Sequence, residues 1–343
     1  MDSYEELAVR VVELSGTYYQ MGVQQSREFS SFNHLWKNRF QSRMNEQADV
    51  QCAEELVGKI APSILHELHG LATGLELPAE EVIRLYSGYN IDFPEMGCTS
   101  FVCDGHYVRN YDFSPALYDA RLVFTNPKTG YASVGFSQQV IGRLDGMNEK
   151  GLVAGLHFVS AEHKQPGFIA TTIVRMLLEK CATIEEAIKL LAEIPHGYCY
   201  NYSLTDRSRK SVMIEAAPDS QVVNNTNPLI CTNHFESETL KTKNRENIQN
   251  SIQRKNFISS LQGEELTPSS LYSQFNDGGS PLFFKQYKEY FGTLHTVVYS
   301  PADLLLMVGI GENCVPEKWS LQEFLEGTLL LPESIKGQIR HKT

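Results

Sequence analysis

The sequence after Cys98 consists largely of pairs of short segments in which apolar and polar residues alternate, and turn-forming residues join the two segments of each pair. The pairs are Ser100–Val102 with Tyr107–Tyr111, Arg121–Thr125 with Ala132–Phe136, Arg143–Met147 with Leu152–Val159, Tyr200–Thr205 with Ser211–Glu215, and Thr293–Tyr299 with Leu304–Ile310. Such pairs are typical of β-hairpins, because a tight turn places two consecutive strands side by side. Most of the chain after Cys98 is therefore predicted to form antiparallel sheet.

Segments with helical periodicity lie before and between these hairpins. Residues 1–97 are predicted to be mostly helical, because apolar residues recur every three or four positions along much of this part. Ile169–Ile194 is a second helical block, in which Thr183 followed by Glu186 fits a capping box, and Asn244–Leu261 is a third. Strand pairs interrupted by helical blocks predict a layered α+β fold, and no repeat or linker divides the chain into several domains.

Charge and composition narrow the classes of partner. The 343 residues carry a net charge of −11 without any basic cluster, so neither nucleic acid nor an anionic membrane surface is expected as a partner. No run of about 18 apolar residues predicts a membrane span, and the first residues do not resemble a signal peptide. The seven cysteines include no CxxC pair, so we expect no metal site and no cofactor, and reduced thiols indicate a cytoplasmic protein.

Cys98 is the candidate reactive residue. A single cysteine is most often a small buried apolar side chain, so its position needs a further argument. Here Cys98 follows Gly97 at the start of a strand, and a glycine permits unusual backbone dihedrals and a close approach of neighbouring groups. The following Thr99 and Ser100 supply hydroxyl groups that can support a backbone rearrangement. A cleavage between Gly97 and Cys98 would make the cysteine a new amino terminus.

The run Arg109-Asn110-Tyr111-Asp112 supplies charged partners for this cysteine. The hairpin turn at Asp104-Gly105 brings the run back beside Cys98. Because strand residues alternate between two faces, Asn110 and Asp112 should share one face and Arg109 and Tyr111 the other. A polar strand end without function is the alternative interpretation of these residues.

Several motifs together make the sequence resemble a known family. "GCTS" and "RNYDF" occur with "GTYYQMGVQQS" near the amino terminus, with "GRLDGMNEKGLVAGLHF" at Gly142–Phe158 and with "ICTNHF" at Ile230–Phe235. In this order they resemble the cysteine N-terminal-nucleophile (Ntn) hydrolases, in particular the isopenicillin-N acyltransferase-like family. Choloylglycine hydrolases and penicillin V acylases are more distant relatives. The resemblance implies the αββα four-layer sandwich of Ntn hydrolases, in which two antiparallel sheets lie between helical layers.

The resemblance also implies an activity that depends on self-cleavage. Cleavage at Gly97-Cys98 would divide one domain into a helical, propeptide-like segment, residues 1–97, and a catalytic segment, residues 98–343. The enzyme would then hydrolyse or transfer the acyl group of a small linear amide through a thioester on Cys98. The freed α-amine has a pKa of about 7.7–8.0 and the thiol one of about 8.5, so the amine can serve as the base for the thiol.

Site roles follow from the resemblance at the positions that match its motifs. Arg109 and Asp112 correspond to the arginine and aspartate beside the nucleophile, where the guanidinium would favour the thiolate and the carboxylate would hold the amine. Asn233 corresponds to the asparagine that donates a hydrogen bond to the oxyanion. His157 stands where the choloylglycine branch has an asparagine, and it is a candidate for oxyanion or substrate contacts. Arg254 is the candidate for a downstream arginine of the family.

Two other functional classes stay open at this point. A papain-like enzyme would pair Cys98 with His234 or His295 and would need no cleavage, whereas a binding module would keep the fold without catalysis. The expected partner is a small N-acyl amide, for which Asn276–Gly292 offers an apolar lining, and a homo-oligomer is left open. The mass of the purified protein distinguishes these classes, because only self-cleavage produces two chains.

Overall fold

The structure is a computed structural model that describes residues 3–29, 49–261, 266–289 and 291–341. Its α-helices are α1 (Tyr18–Phe29), α2 (Val50–Ile60), α3 (Pro62–Leu75), α4 (Ala79–Tyr86), α5 (Ala170–Lys180), α6 (Ile184–Glu193), α7 (Gln249–Ser260), α8 (Pro268–Asn276) and α9 (Leu321–Leu325). None of the helices in these ranges has the length and the apolar composition needed to cross a lipid bilayer.

The strands are numbered in chain order. They are β1 (Ser3–Gly16), β2 (Gly97–Cys103), β3 (His106–Phe113), β4 (Arg121–Pro127), β5 (Ser133–Gln138), β6 (Gly142–Arg143), β7 (Asp145–Asn148), β8 (Val153–Ser160), β9 (Cys199–Thr205), β10 (Ser211–Ala217), β11 (Ser220–Asn224), β12 (Leu229–Cys231), β13 (Lys285–Gln286), β14 (Phe291–Ser300), β15 (Leu305–Ile310), β16 (Glu317–Ser320) and β17 (Ser334–His341). The five predicted hairpins are confirmed, since each predicted pair of segments forms antiparallel neighbours.

The turn between β2 and β3 explains why this hairpin could be predicted. Asp104 has a φ of 51° and Gly105 a φ of 81°, so both central residues adopt the left-handed conformation. A two-residue hairpin of this type matches the natural twist of the strands and favours an Asp-Gly sequence. The turn sets the register of the hairpin, in which Gly97 lies opposite Asp112 and Cys98 opposite Tyr111.

The described strands form two sheets. The larger sheet has the order β11-β10-β9-β8-β7-β5-β4-β1-β17, with β6 paired to β5, and the smaller sheet has the order β12-β2-β3-β14-β15-β16, with β13 paired to β14. All neighbouring strands are antiparallel except β1 and β4, which run parallel. The two sheets face each other, because β3 of the smaller sheet contacts the larger sheet through a hydrogen bond of 2.8 Å between Tyr107 and Ser203.

Helices cover the outer faces of both sheets. On the larger sheet, Asn148 donates hydrogen bonds from its amide to the Leu178 and Cys181 carbonyls at the end of α5. On the smaller sheet, Asn110 of β3 donates to the Phe275 carbonyl of α8. The order of layers is therefore helix, sheet, sheet, helix, and the predicted α+β four-layer sandwich is confirmed.

The amino-terminal part contains a strand that the sequence analysis missed. Four helices, α1 to α4, agree with the helical prediction for residues 1–97, but Ser3–Gly16 forms β1, so the prediction is wrong there. Val12 and Leu14 are buried while Glu13 between them is exposed, and this alternation is the pattern of a strand. Because β1 lies between β4 and β17, residues of the first segment form an internal part of the larger sheet.

Ile169–Ile194 divides into two helices at the predicted capping box. Thr183 is the N-cap of α6, and its hydroxyl accepts a hydrogen bond of 3.3 Å from the Glu186 N–H. The Glu186 carboxylate in turn accepts a hydrogen bond of 2.6 Å from the N–H of Ala182. In a capping box the donor would be the N–H of the next residue, Thr183. The capping interaction is thus confirmed with this shift of one residue.

Asn110 joins the smaller sheet to its helical layer by hydrogen bonds. Removal of its side chain should therefore lower the free energy of unfolding. Its amide donates to the Phe275 and Leu282 carbonyls at 2.8 and 2.9 Å, and its side-chain oxygen accepts from Thr296 at 2.8 Å. Asn110→Ala leaves these buried groups without partners, so we expect the free energy of unfolding to fall by about 2–4 kcal/mol. Urea unfolding measures the change.

The matched control for this variant is Asn126→Ala, because Asn126 lies exposed on β4. The control should change the free energy of unfolding by less than about 0.5 kcal/mol. Equal effects of the two variants would contradict the role given to Asn110.

Candidate active site

Cys98 is held by three side chains that the sequence analysis predicted. Arg109 donates a hydrogen bond from Nη2 to the Cys98 sulfur at 3.0 Å. The Cys98 N–H donates a hydrogen bond of 2.9 Å to Oδ1 of Asn233, and the Cys98 carbonyl accepts a hydrogen bond of 2.7 Å from Nη1 of Arg254. Arg254 also donates to Oδ1 of Asn233 at 2.9 Å, so the four residues form one connected group. The side chains of all four are buried.

The fold accounts for the position of each partner. Arg109 lies on the face of β3 that looks towards the larger sheet, and Asn110 lies on the opposite face, which confirms the predicted alternation. Asn233 follows β12, which pairs with β2 beside Cys98, and Arg254 lies on α7, which packs over this end of the smaller sheet. Hydrogen bonds therefore join residues that lie far apart in the sequence.

β8 fixes the orientation of two of these side chains through its backbone. The Leu156 carbonyl accepts a hydrogen bond of 2.8 Å from Nη2 of Arg109, and the Phe158 carbonyl accepts one of 2.8 Å from Nδ2 of Asn233. Residues two apart in a strand point the same way, so these two carbonyls flank His157. The segment resembling the family motif is thus a rigid support for both Arg109 and Asn233.

His157 itself lies beside this group without contacting the sulfur. Its Nε2 is 3.1 Å from the Ser100 hydroxyl and 2.9 Å from the Ser203 hydroxyl. Burial, together with the charge of Arg109, lowers the pKa of His157 well below its ordinary value, so the ring is neutral. The structure places His157 near the nucleophile as an uncharged hydrogen-bonding residue.

The thiol of Cys98 is protonated in the uncleaved chain. Complete burial raises the pKa of Cys98 to about 12, although Arg109 lowers it as the sequence analysis expected. Burial outweighs the guanidinium, because a thiolate enclosed by protein loses its hydration. The thiol therefore needs exposure or a nearby base before it can react.

Asp112 approaches the bond before the nucleophile. A Cβ atom on residue 97 would lie 2.9 Å from Cβ and 3.1 Å from Oδ2 of Asp112, so only glycine fits there. Gly97 is extended and does not adopt a positive φ, which means that close approach, and not an unusual dihedral, requires the glycine.

The carboxylate of Asp112 has an oxygen available for a further partner. Thr293 donates to Oδ1 at 2.6 Å, and Arg254 lies 3.8 Å from Oδ2. No side chain of the described residues forms a hydrogen bond with Oδ2. Burial raises the pKa of Asp112 above its ordinary value, in spite of the opposing effects of Arg254 and Thr293.

Asn233 does not have the orientation that the sequence analysis expected. An oxyanion donor would point its amide nitrogen towards the nucleophile, but Nδ2 of Asn233 donates to the Phe158 carbonyl. Its Oδ1 accepts from two donors, the Cys98 N–H and Arg254, which defines the orientation of the amide. In this state Asn233 holds the nitrogen of Cys98.

Asp145 is a site residue that the sequence analysis missed. Oδ2 of Asp145 accepts a hydrogen bond of 2.6 Å from Nη1 of Arg109, and Oδ1 accepts one of 2.7 Å from the Tyr299 hydroxyl. His295 lies 3.5 Å away from the same carboxylate, and Tyr118 contacts the other ring nitrogen of His295 at 2.7 Å. Asp145 stands within "GRLDGMNEKGL", so the quoted motif contained the signal for it.

The two histidines of the papain-like alternative lie apart from the sulfur. His295 stacks on Phe136 with ring centroids 3.5 Å apart and contacts Asp145 and Tyr118. His234 forms hydrogen bonds with the hydroxyls of Thr232 and Ser251. Within the part of the chain that the structure describes, neither histidine forms a hydrogen bond with the Cys98 sulfur.

A cavity of about 350 Å³ opens next to the Gly97-Cys98 bond. Its lining consists of Glu95, Gly97, Asp112, Arg245, Asn247, Asn250, Arg254, Phe284 and Gln286. Asn276–Gly292 contributes Phe284 and Gln286 to this lining, so the expected apolar segment borders the cavity with one aromatic side chain. Among the described residues, no group of three or more metal-ligating side chains comes together.

A match to a protein family defines the class of this protein. A family model described as acyl-coenzyme A:6-aminopenicillanic acid acyl-transferase matches residues 102–313, more than half of the chain. The chain therefore belongs to this acyltransferase family, which confirms the resemblance seen in its motifs. It is an enzyme of the acyltransferase class.

Similar solved structures have low sequence identity to the chain. A mutant of conjugated bile acid hydrolase from Clostridium perfringens is 14% identical, with a TM-score of 0.46, and the match covers 66% of this chain and 93% of that one. Penicillin V acylase from Agrobacterium tumefaciens is 13% identical, with a TM-score of 0.37 and coverage of 65% and 84%. A Caenorhabditis elegans ortholog of N-acylethanolamine-hydrolyzing acid amidase is 13% identical, with a TM-score of 0.39 and coverage of 60% and 93%. No curated protein sequence matches the chain.

The buried pair of Arg109 and Asp145 predicts a large and pH-dependent effect of Asp145→Asn. Burial alone would raise the pKa of Asp145, but Arg109, His295 and Tyr299 outweigh it and hold the pKa below its ordinary value. The variant leaves Arg109 without its counter-charge, so the free energy of unfolding at pH 7 should fall by about 3–5 kcal/mol. Urea unfolding of wild type and Asp145→Asn at several pH values measures this difference in the free energy of unfolding.

The pH dependence has a defined sign. A depressed carboxyl pKa stabilises the fold above the unfolded value of about 3.9 and loses that contribution as the pH falls through the folded value. The difference between wild type and variant should therefore shrink in acid below about pH 4. The exposed Asp303→Asn is the control, and a variant as stable as this control at pH 7 would refute the role of Asp145.

Proposed function

We propose that this enzyme is a self-processing cysteine amidohydrolase or acyltransferase. It cleaves its own Gly97-Cys98 bond, and Cys98 then carries the acyl group of a small linear amide as a thioester. The observation that carries the proposal is the pair of hydrogen bonds on one residue, from Arg109 to the Cys98 sulfur and from the Cys98 nitrogen to Asn233. Both atoms that change bonding in such chemistry are held in place.

The processing step follows from this arrangement. The Cys98 sulfur attacks the Gly97 carbonyl carbon, the bond from that carbon to the Cys98 nitrogen breaks, and a thioester forms. The thiol proton ends on the freed nitrogen, whose N–H group already donates a hydrogen bond to Oδ1 of Asn233. Water then hydrolyses the thioester, which leaves a carboxylate on Gly97 and restores the thiol.

The mature enzyme repeats the same chemistry on its substrate. The α-amine of Cys98 takes the thiol proton, and Arg109 at 3.0 Å stabilises the thiolate that attacks the substrate carbonyl. The protonated amine then gives its proton to the leaving nitrogen, and water or an acceptor amine releases the acyl group. Oδ2 of Asp112, which has no hydrogen-bond partner among the described residues, faces residue 97 and suits an interaction with the positively charged amine.

Burial of the thiol supports cleavage before catalysis. Cys98 is completely buried, and Met96 just before the bond is 1% exposed. A substrate reaches the sulfur only after this segment moves. The cavity beside Gly97 offers space for an amide substrate.

The first prediction for this function concerns cleavage itself. Wild-type protein should separate on a denaturing gel into fragments of residues 1–97 and 98–343, whereas Cys98→Ala should stay whole. Cys199→Ala, a variant at another buried cysteine, should be cleaved like wild type. Wild type that hydrolyses N-acyl anilides as a single uncleaved chain would refute the mechanism.

The two fragments should remain together after cleavage. Strand β1 lies inside the larger sheet, and the buried ion pair of Glu67 with Arg175, at 2.7 Å, joins the two segments. Removal of residues 1–97 would expose the core and break this pair. Gel filtration of cleaved protein without denaturant should show both fragments in one peak at equal amounts, and a free 98–343 fragment that stays active would contradict this expectation.

Asn233 is expected to be necessary for turnover. Loss of its side chain frees the Cys98 nitrogen and Arg254 from their common acceptor and misplaces the nucleophile, so Asn233→Ala should lower kcat roughly 100-fold or more. A panel of short N-acyl p-nitroanilides measures kcat on protein already cleaved. Asn225→Ala is a control outside the site, and near-normal turnover of Asn233→Ala would mean that another residue has this role.

The base is tested by placing one residue ahead of the nucleophile. Residues 1–97 are produced together with a chain that begins Met-Cys98, from which the host aminopeptidase removes methionine because cysteine is small. Activity should appear without self-cleavage and should rise with pH as the α-amine loses its proton.

A second chain that retains one extra residue before Cys98 should be inactive, because an amide nitrogen cannot accept the proton. Full activity of this extended chain would point to a separate histidine base and to the papain-like alternative. Folding of both pairs of fragments is checked by gel filtration.

A further inference from the structure

Arg143 is a fully buried cation away from the catalytic group. Its Nη1 donates to the Ile141 and Gly142 carbonyls at 3.2 and 2.9 Å. Within the described ranges, Nε and Nη2 of Arg143 have no hydrogen-bond partner, although the residue is 0% exposed. Buried guanidinium groups ordinarily have their donors satisfied, so two unused donors on one of them require a cause.

The surrounding charges leave Arg143 without a counter-ion. Arg121 pairs with Asp119 at 2.5 Å, and Arg175 pairs with Glu67 at 2.7 Å. No carboxylate of the described residues lies within 4.0 Å of the Arg143 guanidinium. An isolated buried charge costs far more than a paired one, so this part of the structure favours an additional negative charge.

Glu179 is the remaining carboxylate near Arg175, at 3.8 Å from its Nε. Burial raises the pKa of Glu179 above its ordinary value. The carboxylate of Glu179 pairs with Arg175, and no ion pair joins it to Arg143.

A second guanidinium converges on the same place. Nη1 of Arg175 lies 3.5 Å from the Ile141 carbonyl, which Arg143 also contacts. Burial and the charge of Arg175 lower the pKa of Arg143 to about 9, which still leaves it protonated at neutral pH. Two like charges that share one acceptor inside a protein attract an anion between or beside them.

The segment before Arg143 adds a third unused donor and a strained backbone. Nε2 of Gln139 is buried without a hydrogen-bond partner among the described residues, while Oε1 of Gln139 accepts a hydrogen bond of 2.7 Å from the Thr171 hydroxyl. Gln139 and Val140 have φ values of 60° and 66°, a conformation that costs energy for a β-branched residue. The Val140 N–H donates to Asp119 at 2.9 Å, and this contact holds the strained turn towards the arginines.

We propose that Arg143 and Gln139 bind a small monovalent anion of the halide class. Nε and Nη2 of Arg143 donate to it, and Nε2 of Gln139 is a further donor from the neighbouring turn. The unused donors Nε and Nη2 belong to a single guanidinium, so an anion with one negative charge matches the charge of Arg143. Complete burial excludes a large or doubly charged anion, because the loss of its hydration would exceed the attraction.

The site joins the two segments that cleavage separates. Glu67, the partner of Arg175, lies on α3 in residues 1–97, whereas Arg143 and Arg175 belong to residues 98–343. An anion at Arg143 relieves the repulsion between the two arginines and leaves Arg175 free to pair with Glu67. The bound anion therefore stabilises the assembled molecule, whether the chain is cleaved or whole.

The direct test is diffraction from crystals of the full-length protein grown in sodium bromide. An anomalous bromide peak within hydrogen-bond distance of Arg143 Nε and Nη2 is expected. Arg143→Met, which has similar length and no donor, should lack this peak. Water molecules alone beside Arg143, without anomalous signal, would overturn the proposal, and so would bromide confined to the surface.

A solution measurement tests the same proposal without crystals. The thermal midpoint of wild type should rise by roughly 2–4 °C for each tenfold increase in bromide above the dissociation constant. Ionic strength is held constant with sodium gluconate, whose anion is too large for the site.

The exposed Arg209→Met should respond to bromide as wild type does, whereas Arg143→Met should show no response. An equal response of Arg143→Met and wild type would reject the site. These outcomes are independent of the proposed catalytic activity, because Cys98→Ala should bind bromide like wild type.

Discussion

The ion pair between Arg109 and Asp145 is the interaction on which the arrangement of this molecule depends. It joins β3 of one sheet to β7 of the other through a hydrogen bond of 2.6 Å, and both side chains are completely buried. A buried pair is expensive to desolvate, so its value lies in fixing one geometry and not in stability alone. Nη1 of Arg109 donates to Asp145 and Nη2 donates to the Leu156 carbonyl, and this orientation directs Nη2 at the Cys98 sulfur as well.

This rigid centre suits a reaction that must begin without a substrate. The sulfur, the nitrogen and the carbonyl of Cys98 each have a charged or amide partner, so the bond before Cys98 is surrounded by groups that can stabilise its rearrangement. The same burial that aligns these groups raises the pKa of the thiol. In the proposed mechanism, cleavage supplies both an amine base and access for solvent, and so it would convert an aligned but unreactive thiol into a nucleophile.

The first segment of the chain has a structural role that its propeptide-like character does not suggest. Strand β1 is internal to the larger sheet, and α3 carries the buried Glu67 that pairs with Arg175. A segment placed in this way contributes to the core of the enzyme, and it would do so after the proposed cleavage as well. The proposed anion at Arg143 belongs to the same junction, where three buried arginines meet.

The sequence by itself determined the features that depend on local chemistry. Turn residues such as Asp104-Gly105 defined the hairpins, and the register of one hairpin was sufficient to place Asp112 beside Gly97 and Arg109 on the opposite face. Tertiary structure alone decided the position of β1, the orientation of the Asn233 amide and the presence of Asp145 at the site. Each of these depends on contacts between residues distant along the chain, and no local periodicity records which buried donor will meet which acceptor.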